Sequence, residues 1–80
     1  QIATNETGSI HAKLYSVSFA SNGTVAALVS FDSGNTYTSL EPGTIVNLDA
    51  GSVLNYYETD TFYYDTTPVG SALLITYNLA

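Results

Sequence analysis

The chain has 80 residues, enough for one domain, with one Lys, no Arg and seven Asp and Glu for a formal charge of −6. A surface with a single cation counts against nucleic acid and anionic lipid as partners, since both are held through Lys and Arg. The absence of Cys and a lone His11 exclude a disulfide framework and a zinc site; a core of this size removes only about 60–65% of the unfolded chain's surface, so association with other subunits is the remaining common reinforcement.

No run of residues approaches the length of a membrane-spanning helix, and no basic and apolar leader is visible. A chain that opens on Gln1 is expected to be either processed or incomplete at its amino terminus, where any export signal could have been lost. Residues 1–8 are polar apart from Ile2 and Ala3, and predict an extended N-terminal arm with Ile2 as its only anchor. The rest, residues 9–80, predicts a single all-β domain. Its apolar positions are filled by β-branched and aromatic residues, and Gly, Asn, Asp, Ser and Pro interrupt at short intervals.

From residue 9 to 20 the apolar positions run Ile10, Ala12, Leu14 and then change phase to Tyr15, Val17, Phe19. A bulge near Leu14 and Tyr15 accounts for the change, because a slip of one residue sends side chains to the other face. Asn22-Gly23 follows, and both residues tolerate positive φ, so residues 15–20 and 24–32 are expected to form a hairpin on a type I′ turn. In the second arm Val25, Ala27, Val29 and Phe31 share a face. Ser33-Gly34-Asn35 predicts a turn, residues 35–40 a short strand, and Glu41-Pro42-Gly43 a tight turn with Pro pre-setting φ and Gly accepting its positive value. Residues 44–48 resume a strand, Asp49-Ala50-Gly51 turn again, and residues 53–57 and 61–64 are two further strands. After a loop over 65–70, residues 71–79 close the domain as the central strand, with Leu73, Ile75, Tyr77 and Leu79 on one face and Leu74 on the other. The whole predicts a small antiparallel β-sandwich or jelly roll of about seven short strands.

Sandwich edges are usually protected by Lys, Pro, bulges or inward charge. The expected strands over 35–40 and 44–48 carry no charged residue at all, so at least one edge is expected to be covered by another copy or a larger partner. The tract from Asn55 to Asp65 holds four of the seven Tyr and three carboxylates. Tyr56, Tyr57, Tyr63 and Tyr64, together with Ile2, are the interface candidates, since Tyr is enriched where surfaces meet. Adjacent Tyr in a strand also place one ring inside and one outside, and exposed rings can stack on sugars.

Glu58, Asp60 and Asp65 lack the spacing of a calcium loop, and one His with no strained nucleophile elbow gives a catalytic triad nothing to be built around. No catalytic residue, metal ligand or cofactor is assigned, and no enzyme activity is expected. Asn5-Glu6-Thr7 and Asn22-Gly23-Thr24 match the glycan acceptor pattern, at a frequency that a chain one-quarter Ser and Thr produces by chance.

Read from Tyr15, the segments YSVSFASNGTVAALVSFDSG, LEPGTIVNLDAGSVLNYY and FYYDTTPVGSALLITYN resemble small β-sandwich virion proteins of tailed bacteriophages, above all short capsid decoration and fibre-associated subunits. The shared features are a hairpin of small apolar residues, an L-x-P-G-x-x-V-x-L turn into a strand and a closing aromatic and aliphatic strand. The resemblance implies a non-enzymatic protein of the virion surface that binds a major capsid or other virion protein in several copies, with residues 1–8 as an arm reaching across. The competing expectations are an extracellular filament subunit joined by N-terminal strand addition and a carbohydrate-binding module using Tyr56, Tyr57, Tyr63 or Tyr64.

Overall fold

The computed structural model describes residues 1–12, 14–32, 34–49 and 60–79. The described residues form eight strands and no helix: β1 (Ile2–Ala3), β2 (Thr7–Ala12), β3 (Leu14–Ser21), β4 (Ala27–Ser30), β5 (Thr38–Leu40), β6 (Ile45–Asp49), β7 (Asp60–Asp65) and β8 (Leu73–Leu79). They make two antiparallel four-stranded sheets, ordered β1-β8-β3-β6 and β2-β7-β4-β5. First pairs with last, second with seventh, third with sixth and fourth with fifth. This is one long hairpin rolled so that alternate layers fall in opposite sheets, the strand arrangement of an eight-stranded jelly roll. The expected strand over 53–57 and the turn at 50–51 lie outside the described residues.

The alternation read from the sequence fills the space between the sheets. Val17 and Phe19 on β3, Leu73 and Ile75 on β8, Ala27 and Val29 on β4, and Phe62 and Tyr64 on β7 all point inward and are buried, with Ala3, Ile10 and Leu40 completing the core. Phe19, Phe31 and Phe62 meet pairwise at centroid separations of 6.0–6.1 Å, each pair edge to face. That arrangement sets the positive rim of one ring against the negative face of another, worth about 0.5–1.5 kcal/mol per pair beyond burial. Tyr77 and Leu79 continue the inward phase of β8 but are exposed, at 41% and 65%, so only its first half serves the core. As expected, β8 is internal to its sheet.

The phase change near Leu14 is a sheet change. Thr7–Ala12 pairs with β7 in one sheet and Leu14–Ser21 with β8 and β6 in the other, and the β3–β8 register slips between Leu14 and Ser16. Bends and bulges of this kind carry a strand round the corner of a sandwich.

The Asn22-Gly23 hairpin does not form. β3 and β4 belong to different sheets, and neither Asn22 nor Gly23 has a positive φ. The segment crosses between sheets along residues 70–72, with Asn22 N–H donating to Ala72 O, Thr24 N–H to Gly70 O, and a parallel bridge from Val25 to Ser71. Gly23 is needed for a different reason: a Cβ there would lie 2.6 Å from Ala72 N. The true hairpin of this region is β4–β5, whose connection turns through Gly34 at φ +87°. Glu41-Pro42-Gly43 turns as expected: Thr44 N–H donates to Glu41 O at 3.0 Å and Gly43 has φ +92°. It too joins strands of different sheets.

Residues 1–8 are built into the domain. Ile2 and Ala3 pair with Leu74 and Leu73, Gln1 exchanges backbone hydrogen bonds with Ile75, and Thr7 and Gly8 begin β2. The anchor is Ala3, fully buried, and not Ile2, which is 63% exposed. Between β1 and β2 Asn5 adopts φ +55°, a left-handed conformation that Asn tolerates better than most residues. Buried Thr66 holds this bend: its Oγ1 donates to Glu6 O and accepts from Glu6 N–H, and its backbone bonds to both Asn5 and Glu6.

Candidate functional site

Of the five interface candidates, Tyr56 and Tyr57 lie outside the described residues. Tyr63 and Tyr64 are neighbours on β7 and so face opposite ways. Tyr64 is 6% exposed and belongs to the core, which removes it from the interface. Its room comes from Gly8 on the paired strand, where a Cβ would lie 2.5 Å from the Tyr64 Cζ. Burial, and then the nearby Glu6 carboxylate, raise the Tyr64 phenol above its ordinary pKa of 10.0, against a hydrogen bond with the Gln1 side chain. Tyr63 takes the outer face, half-buried, with its ring within van der Waals reach of a Cβ at Gly34. The buried Tyr64 ring offers no open face for stacking on a sugar.

The loop that covers Tyr63 is organised by Asp32. Its Oδ1 accepts from Ser30 Oγ at 2.8 Å and Thr36 N–H at 2.9 Å, and its Oδ2 accepts from Thr36 Oγ1 at 2.5 Å. Ser30 Oγ in turn accepts from Gly34 N–H at 2.8 Å. The Thr36 hydroxyl, the Thr36 amide and the Ser30 hydroxyl, in that order, lower the Asp32 carboxyl to a pKa of about 2. Asp65 has a similar role in the connection after β7, accepting from Thr67 N–H and Oγ1. These carboxylates are committed to turns. Among the described residues no three His, Asp or Glu converge as metal ligands would.

What stands open is the outer face of the β1-β8-β3-β6 sheet. The register aligns Ile2, Leu74, Ala20 and Ile45 in one row across all four strands. Ile2 is 63%, Leu74 37% and Ile45 62% exposed. The next row is Thr76, Ser18 and Asn47, and beyond it Asn78, Ser16 and Asp49 are in register, with Asn78 Nδ2 donating to Ser16 Oγ at 2.9 Å. The four strands contain one carboxylate, Asp49, at the end of β6. The carboxylates of the other described segments sit in the second sheet, at Asp60 and Asp65, or in connections, at Glu6, Asp32 and Glu41.

Of the described interface candidates, Ile2, Tyr63 and Tyr64, only Ile2 falls in this apolar row. Leu74, Ala20 and Ile45 are missed when strands are read singly, since each is one apolar residue at an outward position. Only the register between strands sets them side by side. Comparisons of the chain with protein-family models, with curated proteins and with solved structures give no match.

Proposed function

We propose that the chain is a non-enzymatic structural protein of a virion, a capsid decoration subunit that binds the outer shell in several copies. The observation that carries this reading is the partly apolar sheet face, with Asp49 at one end as its one carboxylate, on a chain of charge −6 whose other described carboxylates lie elsewhere. A small acidic protein that leaves one broad face with a single carboxylate at its end is suited to a packed contact and not to steering a charged ligand. The jelly-roll strand order is one that viral shells use repeatedly, and the resemblance to virion proteins of tailed phages agrees with it. The fold alone names no function; it makes the reading coherent.

The N-terminal strand addition of a filament subunit is disfavoured by β1, which occupies the edge of its own sheet beside β8. Sugar binding through Tyr64 is disfavoured by its burial.

Mass spectrometry of density-purified particles from the source culture, with immunogold labelling by an antibody to this chain, tests the proposal. The expected result is many copies per particle with gold on the head. Its presence only in the soluble fraction, or gold along filaments, overturns it.

A further inference from the structure

We infer that two copies of this chain pack face to face through the outer surface of the β1-β8-β3-β6 sheet, about a two-fold axis parallel to the strands. The inference rests on the reading of the chain as a multicopy component and names the partner of the open face. A second copy brings the same charge of −6, so a stable contact between copies must use a surface where carboxylates do not oppose one another. The rows Ile2-Leu74-Ala20-Ile45 and Thr76-Ser18-Asn47 meet that condition. A partner recruited by basic charge would meet Asp65, Asp32 or Glu41 instead, and those lie off this face.

The face also complements itself in size. β8 presents Leu74, Thr76 and Asn78, while β3 opposite them in register presents the smaller Ala20, Ser18 and Ser16. A two-fold axis running along the strands, between β8 and β3, lays β8 of each copy over β3 of the other. Leu74 then sits on Ala20 of the second copy, Thr76 on its Ser18, and Ile2 against its Ile45. The same axis leaves the two Asp49 residues at opposite sides of the contact. Aligned sheets pack in this manner about 10 Å apart with side chains interdigitated.

Four strands about 4.8 Å apart and five to seven residues at about 3.4 Å make a face of roughly 300–450 Å² per copy. That is about half the standard interface, so the isolated chain should dimerise weakly, with a Kd on the order of 0.1–1 mM. Such a contact becomes effective when copies are already held on a common surface.

Sedimentation equilibrium of the whole chain over a concentration series extending above that range tests the inference. The expected result is a monomer–dimer equilibrium weakened at least tenfold by Leu74→Glu and by Ile45→Glu. Ser39→Glu, on the exposed edge of the other sheet, should leave it unchanged. Circular dichroism checks that each variant is folded. Because the chain lacks Cys, Leu74→Cys mixed with Ala20→Cys should cross-link through a short bismaleimide more efficiently than either alone. A strictly monomeric chain, an equal effect of Ser39→Glu, or equal cross-linking of Leu74→Cys with itself overturns the inference. Failure here with gold on the virion heads removes the dimer and leaves the proposed function; dimers of a chain missing from virions do the reverse.

Discussion

Gly23 and Gly43 both sit where the chain passes from one sheet to the other, and they should respond differently to Ala. At Gly23 the new Cβ meets backbone of residues 70–72, which is fixed by its own hydrogen bonds to Asn22 and Thr24. Gly23→Ala is expected to cost about 2–3 kcal/mol, the range of overpacking. At Gly43 nothing lies within 4 Å, and only the φ of +92° resists a side chain, so Gly43→Ala should cost about 1–2 kcal/mol and Gly43→Asn less. Urea unfolding midpoints of the three variants check the order. Asp32 offers a pH test. Its folded pKa of about 2 lies below the ordinary 3.8, so its contribution is fully present above about pH 4 and is lost as pH falls through about 2. An NMR titration of its carboxyl carbon should show that low midpoint, and Asp32→Asn should make loop order independent of pH over the same window.

The strand most open to local release is β1, two residues long and held largely from outside itself. Gln1 pairs with Ile75, Ala3 fills a core position, and Thr66 supplies four hydrogen bonds to the bend at Asn5 and Glu6. Thr66→Val keeps the shape and removes the two hydroxyl bonds, leaving Glu6 N–H without that partner. The expected loss is about 1–3 kcal/mol. Hydrogen exchange should speed up at Ile75 and Asn5 before it does at Phe19 or Val29, because segments open in cooperative units. Uniform acceleration across both sheets would show that β1 is no separate unit. The extended backbone of this region was readable. Its attachment was not, because Ala3 looks trivial in a polar segment, and its value depends on Leu73 and Ile75 arriving from the other end of the chain.

Across the domain, stability rests on a core that draws residues from both sheets and meets at three Phe rings. For 80 residues a total of about 4–12 kcal/mol is ordinary. Phe62→Ala, which empties the centre of the triad, should remove about 3–5 kcal/mol and leave a variant with little or no cooperative thermal transition, measured by calorimetry. The arrangement that makes this core also creates the partly apolar outer face, since the same alternation that sends Val17, Phe19, Leu73 and Ile75 inward sends Ser18, Ala20, Leu74 and Thr76 outward.

The period of two along each strand, and turns whose geometry is set by Pro and Gly, are local properties. They identified an all-β sandwich, the inward residues Val17, Phe19, Ala27, Val29, Leu73 and Ile75, the slip near Leu14 and the turn at Glu41-Pro42-Gly43, while Val25, Tyr77 and Leu79, expected on the same faces, are exposed. Pairing is not local. Asn22-Gly23 has the chemistry of a hairpin turn, yet it became a crossing between sheets because residues 70–72 provide its hydrogen bonds, almost 50 positions away. The choice of Tyr64 over Tyr63 for the interior needed Gly8 to vacate the space, and the row from Ile2 to Ile45 needed four strands in register. Side-chain direction follows from covalent geometry within a few residues; which neighbours those side chains meet follows from how the rolled hairpin closes.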